Sequence, residues 1–224
     1  MMTYFNLHRP HSELLLGDSE GEELYESSSC PITTEHVDGR RRVSPLSVTL
    51  KHSLRDEMMI WCWVEGLVIH ERLLDGIKQQ GFSGYRTQAA SVRFRDGQLS
   101  NEYHEFIVAG WAGVATAESG VRVEKSCPGC HWKRYSAIAN YESLIDWSQW
   151  TGDDFFIVWH LPRFILITER VAHWLLTQNV KSCALRGLDD CDHPVGSSGF
   201  TVGRLSSYIP EDLAIKYGGP LGLE

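Results

Sequence analysis

Cys127 and Cys130 form the only Cys-x-x-Cys pair in the chain, within the stretch SCPGCHWKRY at 126–135. Two thiols at this spacing are typical of a metal site or of a redox centre. A thioredoxin-type redox pair opens a helix after a strand, whereas this pair lies between two strand-like segments, VRVEK and HWKRY. The pair therefore predicts the turn of a hairpin, and a tetrahedral zinc ion there would need two further ligands.

The segments 56–86 and 154–184 indicate an internal repeat. Aligned without a gap at an offset of 98, the two segments have identical residues at several positions. The aligned identical pairs are Asp56 and Asp154, Trp61 and Trp159, Ile69 and Ile167, Glu71-Arg72 and Glu169-Arg170, and Gln80 and Gln178. Gly81 aligns with Asn179, the two residue types that best tolerate the left-handed conformation at a helix end. Each copy predicts a hydrophobic strand followed by a short helix, with Thr168 as the N-cap of the second helix.

The repeat supplies candidates for the missing metal ligands. Cys30-Pro31 lies 97 residues before Cys127-Pro128, and Thr33 stands where a second cysteine would complete a first pair. If the two knuckles face each other, Cys30 lies near Cys127 and Cys130. His36 is then the nearest candidate for a fourth ligand and gives a Cys3His zinc set, with His131 as the local alternative.

The size of the chain bears on whether such a site is needed. A metal site adds folding free energy because binding and folding are coupled. A chain of 224 residues, 42% of them hydrophobic, can bury a sizeable core without that contribution. The sequence alone therefore favours a metal-free turn, with no cofactor, over bound zinc.

Composition limits the function classes. The 21 basic and 29 acidic residues give a formal net charge of −8, which argues against a nucleic-acid partner and suits a basic protein partner. No stretch approaches the roughly 18 apolar residues of a membrane span, and no signal peptide precedes the first strand. The sequence therefore predicts a cytoplasmic protein with neither a nucleic-acid nor a membrane partner.

The repeat also predicts the fold. We expect an α+β protein of two similar strand–helix–strand halves, about 28–95 and 125–195, with mixed or antiparallel sheets and a zinc-knuckle-like hairpin. A two-fold arrangement would pack Trp61 and Trp159 into a shared core. The whole chain, 1–224, is expected to form a single globular domain with a mobile tail at about 218–224.

Motifs of several enzyme classes are missing from the sequence. It contains neither a G-x-x-x-x-G-K-S/T phosphate loop nor a G-x-G-x-x-G fingerprint. The stretch GFSGY lacks the spacing of a nucleophile elbow, and no H-x-E precedes a P-C-x-x-C as in zinc deaminases. No catalytic residue is therefore predicted, and the chain is not expected to be an enzyme.

The knuckle, the strand that follows it and the Thr-Glu-Arg helix together resemble the double-CXXCG motif family of bacterial proteins. The resemblance extends to the opening MTYFNL and covers about 170 residues. The chain departs from the family at Thr33, which replaces the second cysteine of the first knuckle, and at His131, which replaces the glycine after the second pair.

That resemblance implies an immunity protein of a polymorphic-toxin or kin-discrimination system, which would bind and neutralise a cognate toxin domain without catalysis. The negative charge would steer association with a basic toxin. The alternative is a zinc-ribbon-bearing adaptor protein unrelated to toxin immunity.

Acidic segments outside the repeat are the candidates for the toxin-binding surface. Specificity among related immunity proteins should lie outside the shared scaffold, so we expect contacts from two clusters. The first cluster is Asp18, Glu20, Glu22, Glu23 and Glu26, and the second is Asp189, Asp190 and Asp192.

Overall fold

The computed structural model describes residues 3–10, 16–19, 25–42, 44–50, 57–62, 66–187 and 199–223. Its strands are β1 (Tyr4–His8), β2 (Leu16–Ser19), β3 (Tyr25–Ser29), β4 (Val37–Arg42), β5 (Ser47–Leu50), β6 (Met59–Cys62), β7 (Leu67–His70), β8 (Tyr85–Arg93), β9 (Leu99–Val108), β10 (Gly110–Val114), β11 (Val123–Ser126), β12 (Lys133–Tyr135), β13 (Phe155–Trp159), β14 (Ile165–Thr168), β15 (Ala184–Arg186) and β16 (Phe200–Val202). Its helices are α1 (Glu71–Gln79), α2 (Glu169–Thr177) and α3 (Glu211–Gly218). The predicted α+β class is confirmed.

The strands assemble into mixed and antiparallel sheets. Six strands close on themselves in the order β2-β5-β8-β9-β7-β6, with β2 pairing β6 to complete the ring. A five-stranded sheet has the order β10-β13-β14-β1-β15, and the smaller sheets are β11-β12-β16 and the hairpin β3-β4. A large apolar cluster with residues from the helices packs the closed sheet against the five-stranded sheet.

The strand–helix unit of the repeat recurs at the predicted spacing. β7 and β14 have the same length at an offset of 98, and so do α1 and α2. Both helices end in the same way. Gly81 and Asn179 have φ angles of 64° and 51°, so both take the left-handed conformation that the sequence predicts there.

The strand before each unit is displaced relative to the gapless alignment. Met59 lies opposite Ile69, whereas Phe155 lies opposite Ile167, so equivalent positions on β6 and β13 are 96 rather than 98 residues apart. The expected equivalence of Trp61 and Trp159 is therefore wrong. A slip of two residues keeps every side chain on its face of the sheet, which is why the hydrophobic pattern conceals it.

The two tryptophans accordingly have different surroundings. Trp159 is fully buried in the large cluster, whereas Trp61 is half-buried at its border and donates its indole N–H to the carbonyl of Ser182. Both still contribute to one core, as the sequence predicts. The common origin of the two halves stays a prediction of the sequence comparison.

The two repeat helices meet at equivalent positions. A Cβ atom on Gly76 of α1 would lie 2.7 Å from Cζ2 of Trp174 on α2, and these residues are 98 positions apart. Close to this contact, the carboxylate of Asp154 accepts hydrogen bonds from the Ser83 amide and from Arg170. The units are thus held together by contacts between corresponding segments.

Residues 218–223, which the sequence predicts to be a mobile tail, are folded in the structure. The chain there forms a short 3₁₀ turn, Gly219–Leu221, and Leu223 is buried in the large cluster. The amide of Leu205 donates to the Leu223 carbonyl at 2.7 Å. The glycine-rich composition predicts mobility, which stays a prediction, and in the structure the buried Leu223 side chain packs this segment against the core. Glu224 lies outside the described residues.

In the described part of the chain, no helix has both the length and the apolar character needed to cross a membrane.

Candidate metal centre

Two hairpin loops, far apart in sequence, carry the candidate ligands. The loop between β3 and β4 holds Cys30 and His36, and the loop between β11 and β12 holds Cys127 and Cys130. Each hairpin therefore supplies two ligands, one pair on each side of the centre. This is the face-to-face arrangement of knuckles that the repeat predicts.

The backbone of the second loop explains its sequence. The Cys127 amide donates to the Trp132 carbonyl at 2.8 Å, and the His131 amide donates to the Cys127 carbonyl at 3.0 Å. This tight turn requires a φ of 61° at His131, in the left-handed region that costs an ordinary residue roughly 1–2 kcal/mol. A glycine would avoid that cost, which accounts physically for the motif's usual glycine at this position.

The first loop is closed without a second cysteine. Thr33 accepts a hydrogen bond from the Glu35 amide through its hydroxyl, so the residue that replaces the cysteine stabilises the loop instead. The amide of Ile32 donates to the Cys30 sulfur at 3.4 Å. The two loops touch at their tips, because a Cβ on Gly129 would lie 2.8 Å from Cδ1 of Ile32.

The four side chains converge closely enough to bind a metal ion. Their ligand atoms all lie within 4.8 Å of one another, with 3.6 Å between the sulfurs of Cys30 and Cys127 and 3.7 Å between the Cys130 sulfur and Nδ1 of His36. A tetrahedral site with metal–sulfur bonds of about 2.3 Å has sulfur–sulfur edges of about 3.8 Å. The cluster therefore fits a tetrahedral metal. The Cys30–Cys127 separation is far too long for a disulfide.

The surroundings of the cluster hold it in place. The three cysteines are buried in a small cluster of their own, and Trp132 packs against them. The Trp132 ring stacks on the His36 ring with centroids 4.4 Å apart and 10° between the planes. Trp132 thus fixes the imidazole orientation, a role that sequence reasoning missed. Its place two residues after the second cysteine of the pair is the only signal that the sequence offers.

The thiols differ in acidity. Burial acts to raise the pKa of Cys30, but hydrogen bonds from the Ile32 and Thr33 amides and from the Cys130 and His36 side chains together lower it to about 6. Burial raises the pKa of Cys130 to about 11. A bound metal ion would take the place of the thiol protons, because thiolates are the form of cysteine that binds metals. Its positive charge would then neutralise the charge of the thiolates.

The cluster has the character of a structural site. With a metal ion bound, these four protein donors would complete a tetrahedral coordination shell and leave no open position for a substrate, unlike the three-ligand sites of zinc enzymes. The local alternative ligand, His131, is not part of the cluster.

Two of the predicted partner-binding residues lie within the described part of the chain. Asp18 lies in β2, and Glu26 lies in β3 opposite Arg41. The remaining members of both clusters lie outside the described residues: Glu20, Glu22, Glu23, Asp189, Asp190 and Asp192.

No family model matches the chain, and no curated protein matches it.

Proposed function

We propose that the chain is a non-catalytic immunity protein whose two knuckle hairpins are joined by one structural zinc ion. The observation that carries the proposal is the convergence of Cys30, His36, Cys127 and Cys130. It brings together the two knuckles on which the resemblance to the double-CXXCG family depends. The Cys3His donor set is one that proteins use for structural zinc.

Zinc is favoured over the metal-free turn because the cluster is complete. Thr33 stands where the motif would have a further cysteine, so the first hairpin lacks that thiol. His36 on the same hairpin provides a donor instead, with its Nδ1 3.7 Å from the Cys130 sulfur. Three thiols and an imidazole at this spacing match the donor set of a structural zinc site. The ion would hold the hairpin β3-β4 against the hairpin β11-β12.

A binding role suits the rest of the molecule. The net charge of −8 favours association with a basic toxin domain and raises the encounter rate at low salt. The proposed site of action is the cytoplasm, where an immunity protein meets its toxin. The acidic clusters remain proposed contacts for that partner.

Co-expression tests the function. The chain is expressed in a bacterial host together with a candidate toxin domain, such as one from a gene that neighbours its own, and growth is scored against an inactive-toxin control. We expect restored growth with the cognate toxin and none with an unrelated toxin. Failure to restore growth, with the toxin active and the protein present at normal levels, would overturn the immunity proposal. Zinc bound in such a protein would then favour the adaptor alternative.

A further inference from the structure

We propose that a groove between the β12–β13 connection (136–154) and the start of α2 binds an arginine side chain of the partner. The groove has a volume of about 620 Å³, and we call it the tryptophan groove. Its lining includes Trp147, Trp150, Asp154, Phe156, Glu169 and Arg170. The identity of the partner as a basic toxin rests on the proposed function. The chemistry of the groove does not.

Aromatic rings provide the surface on which a guanidinium group would lie. Trp147 and Trp150 are half-buried, with ring planes 88° apart and centroids separated by 5.5 Å. The fully buried Phe156 packs against both, at 6.5 Å from Trp147 and 5.9 Å from Trp150. Indole faces attract cations more strongly than other aromatic rings do, and the planar, weakly hydrated guanidinium group stacks on them better than an ammonium group.

A hydrogen-bonded turn holds the two tryptophans in place. The Asp146 carboxylate accepts hydrogen bonds from the Ser148 amide at 3.0 Å and from the Gln149 side chain at 2.8 Å. Trp150 donates its indole N–H to the Asp153 carbonyl at 3.2 Å. Because these bonds lie within the turn itself, the rings are ordered before a partner arrives, and binding costs less conformational entropy.

The charge of the lining favours a cation. Asp154 and Arg170 compensate each other, because Nε and Nη2 of Arg170 each donate to a carboxylate oxygen of Asp154 at 2.8 Å. Glu169 is exposed in the first turn of α2 and forms no ion pair within the described part of the chain. Its carboxylate therefore leaves the lining with a formal charge of −1.

The connection that carries the tryptophans has the same sign of charge. Residues 136–154 contain neither lysine nor arginine. The four acidic residues of this connection are Glu142, Asp146, Asp153 and Asp154. An arginine of the partner thus meets aromatic faces on a negatively charged segment, and tryptophan and arginine are the residue types that contribute most to protein interfaces.

Nα-acetyl-argininamide serves as the probe, and Nα-acetyl-citrullinamide serves as a counterpart of nearly the same shape without the charge. Binding is followed through the indole N–H signals of Trp147 and Trp150 in NMR titrations of the full chain, with Trp147→Phe and Trp150→Phe for assignment. We expect the arginine probe to shift both signals saturably with one dissociation constant, and the citrulline probe to bind at least fivefold more weakly. Equal binding of the two probes, or no saturable shift with either, would overturn the arginine site.

Glu169 has a matched control in Glu71, the corresponding residue of the first repeat unit. Both are exposed in the first turn of a helix, so replacement by glutamine changes the same interaction with the helix dipole. Glu169→Gln should weaken the arginine probe about fivefold and leave the citrulline probe unchanged, whereas Glu71→Gln should alter neither. Equal effects of the two variants, or no effect of Glu169→Gln, would contradict the proposed charge recognition.

Charge reversal at the same two positions separates this inference from the proposed function. Glu169→Lys should lower the affinity for the cognate toxin at least tenfold, while Glu71→Lys leaves it unchanged. Toxin neutralisation with undiminished affinity in Glu169→Lys would refute the tryptophan groove as the docking site and leave the immunity function standing. Saturable binding of the arginine probe without neutralisation of any toxin would refute the immunity function and leave the arginine site standing.

Discussion

Gly76 provides a sensitive test of how the two repeat helices pack. Replacing a glycine by alanine inside a helix ordinarily stabilises a protein by about 1 kcal/mol, since alanine has the higher helix propensity. Here the new methyl group would lie 2.7 Å from Cζ2 and 3.1 Å from Cη2 of Trp174. The half-buried Trp174 ring is itself packed edge-on against Phe82, with centroids 5.5 Å apart, so Phe82 blocks its movement on that side.

Overpacking should win over helix propensity at this position. Forcing a methyl group into a well-packed contact costs about 1–3 kcal/mol. After subtraction of the propensity gain, Gly76→Ala should destabilise the protein by about 1 kcal/mol, which lowers Tm by about 2 °C in a chain of this length. Urea unfolding and calorimetry at pH 7 measure the change.

The control is the same substitution in a Trp174→Leu background. The smaller side chain removes the close contact, so Gly76→Ala should there stabilise by about 1 kcal/mol. The double-mutant cycle should thus report a coupling of about 2 kcal/mol. Stabilisation by Gly76→Ala in both backgrounds, with no coupling, would show that the helices do not meet at these positions.

Two other polar groups give predictions of known sign. Burial, followed by the charge of Lys133, lowers the pKa of His160 from its usual 6.5 to about 4, so the unfolded chain takes up the proton first as pH falls. Lowering the pH from 7 to 5 should therefore reduce the free energy of unfolding, measured in urea, by about 2 kcal/mol. The His160→Asn variant should lose this pH dependence, and asparagine tolerates the positive φ of position 160. Asp154→Ala should cost about 2–3 kcal/mol, because the buried carboxylate accepts four hydrogen bonds, from Ser83, Thr168 and twice from Arg170. Asp212→Ala removes an equally bidentate but exposed pair with Arg86 and should cost less than about 1 kcal/mol, so equal losses in the two variants would contradict the account.

The fold class and the two similar helices could be predicted from local features of the sequence. Glycine and asparagine at the two helix ends, and the apolar spacing between them, act over a few residues and are read directly from the chain. Thr168 shows the limit of such reasoning. It occupies the N-cap position as predicted, but its hydroxyl donates to the Asp154 carboxylate instead of capping the helix. The Thr168 hydroxyl thus bonds a residue of another segment, whereas an N-cap side chain ordinarily bonds a backbone amide of its own helix.

The candidate metal ligands were predictable because the repeat aligned the two knuckles. Spacing placed Cys30 opposite Cys127, and chemistry then selected His36. The stacking of Trp132 on His36 depends on the orientation of one hairpin against another and leaves no periodic pattern in sequence.

Zinc content in matched cysteine variants tests the central claim most directly. Protein purified without chelator is analysed for metal per chain, together with Cys30→Ser from the first hairpin, Cys127→Ser from the second, and Cys183→Ser, a half-buried thiol outside the cluster. The account predicts one zinc per chain in the parent and in Cys183→Ser, and loss of the metal, with lower stability, in each of the other two. Metal-free parent protein, or zinc retained when Cys30 is replaced, would contradict a centre shared by the two hairpins.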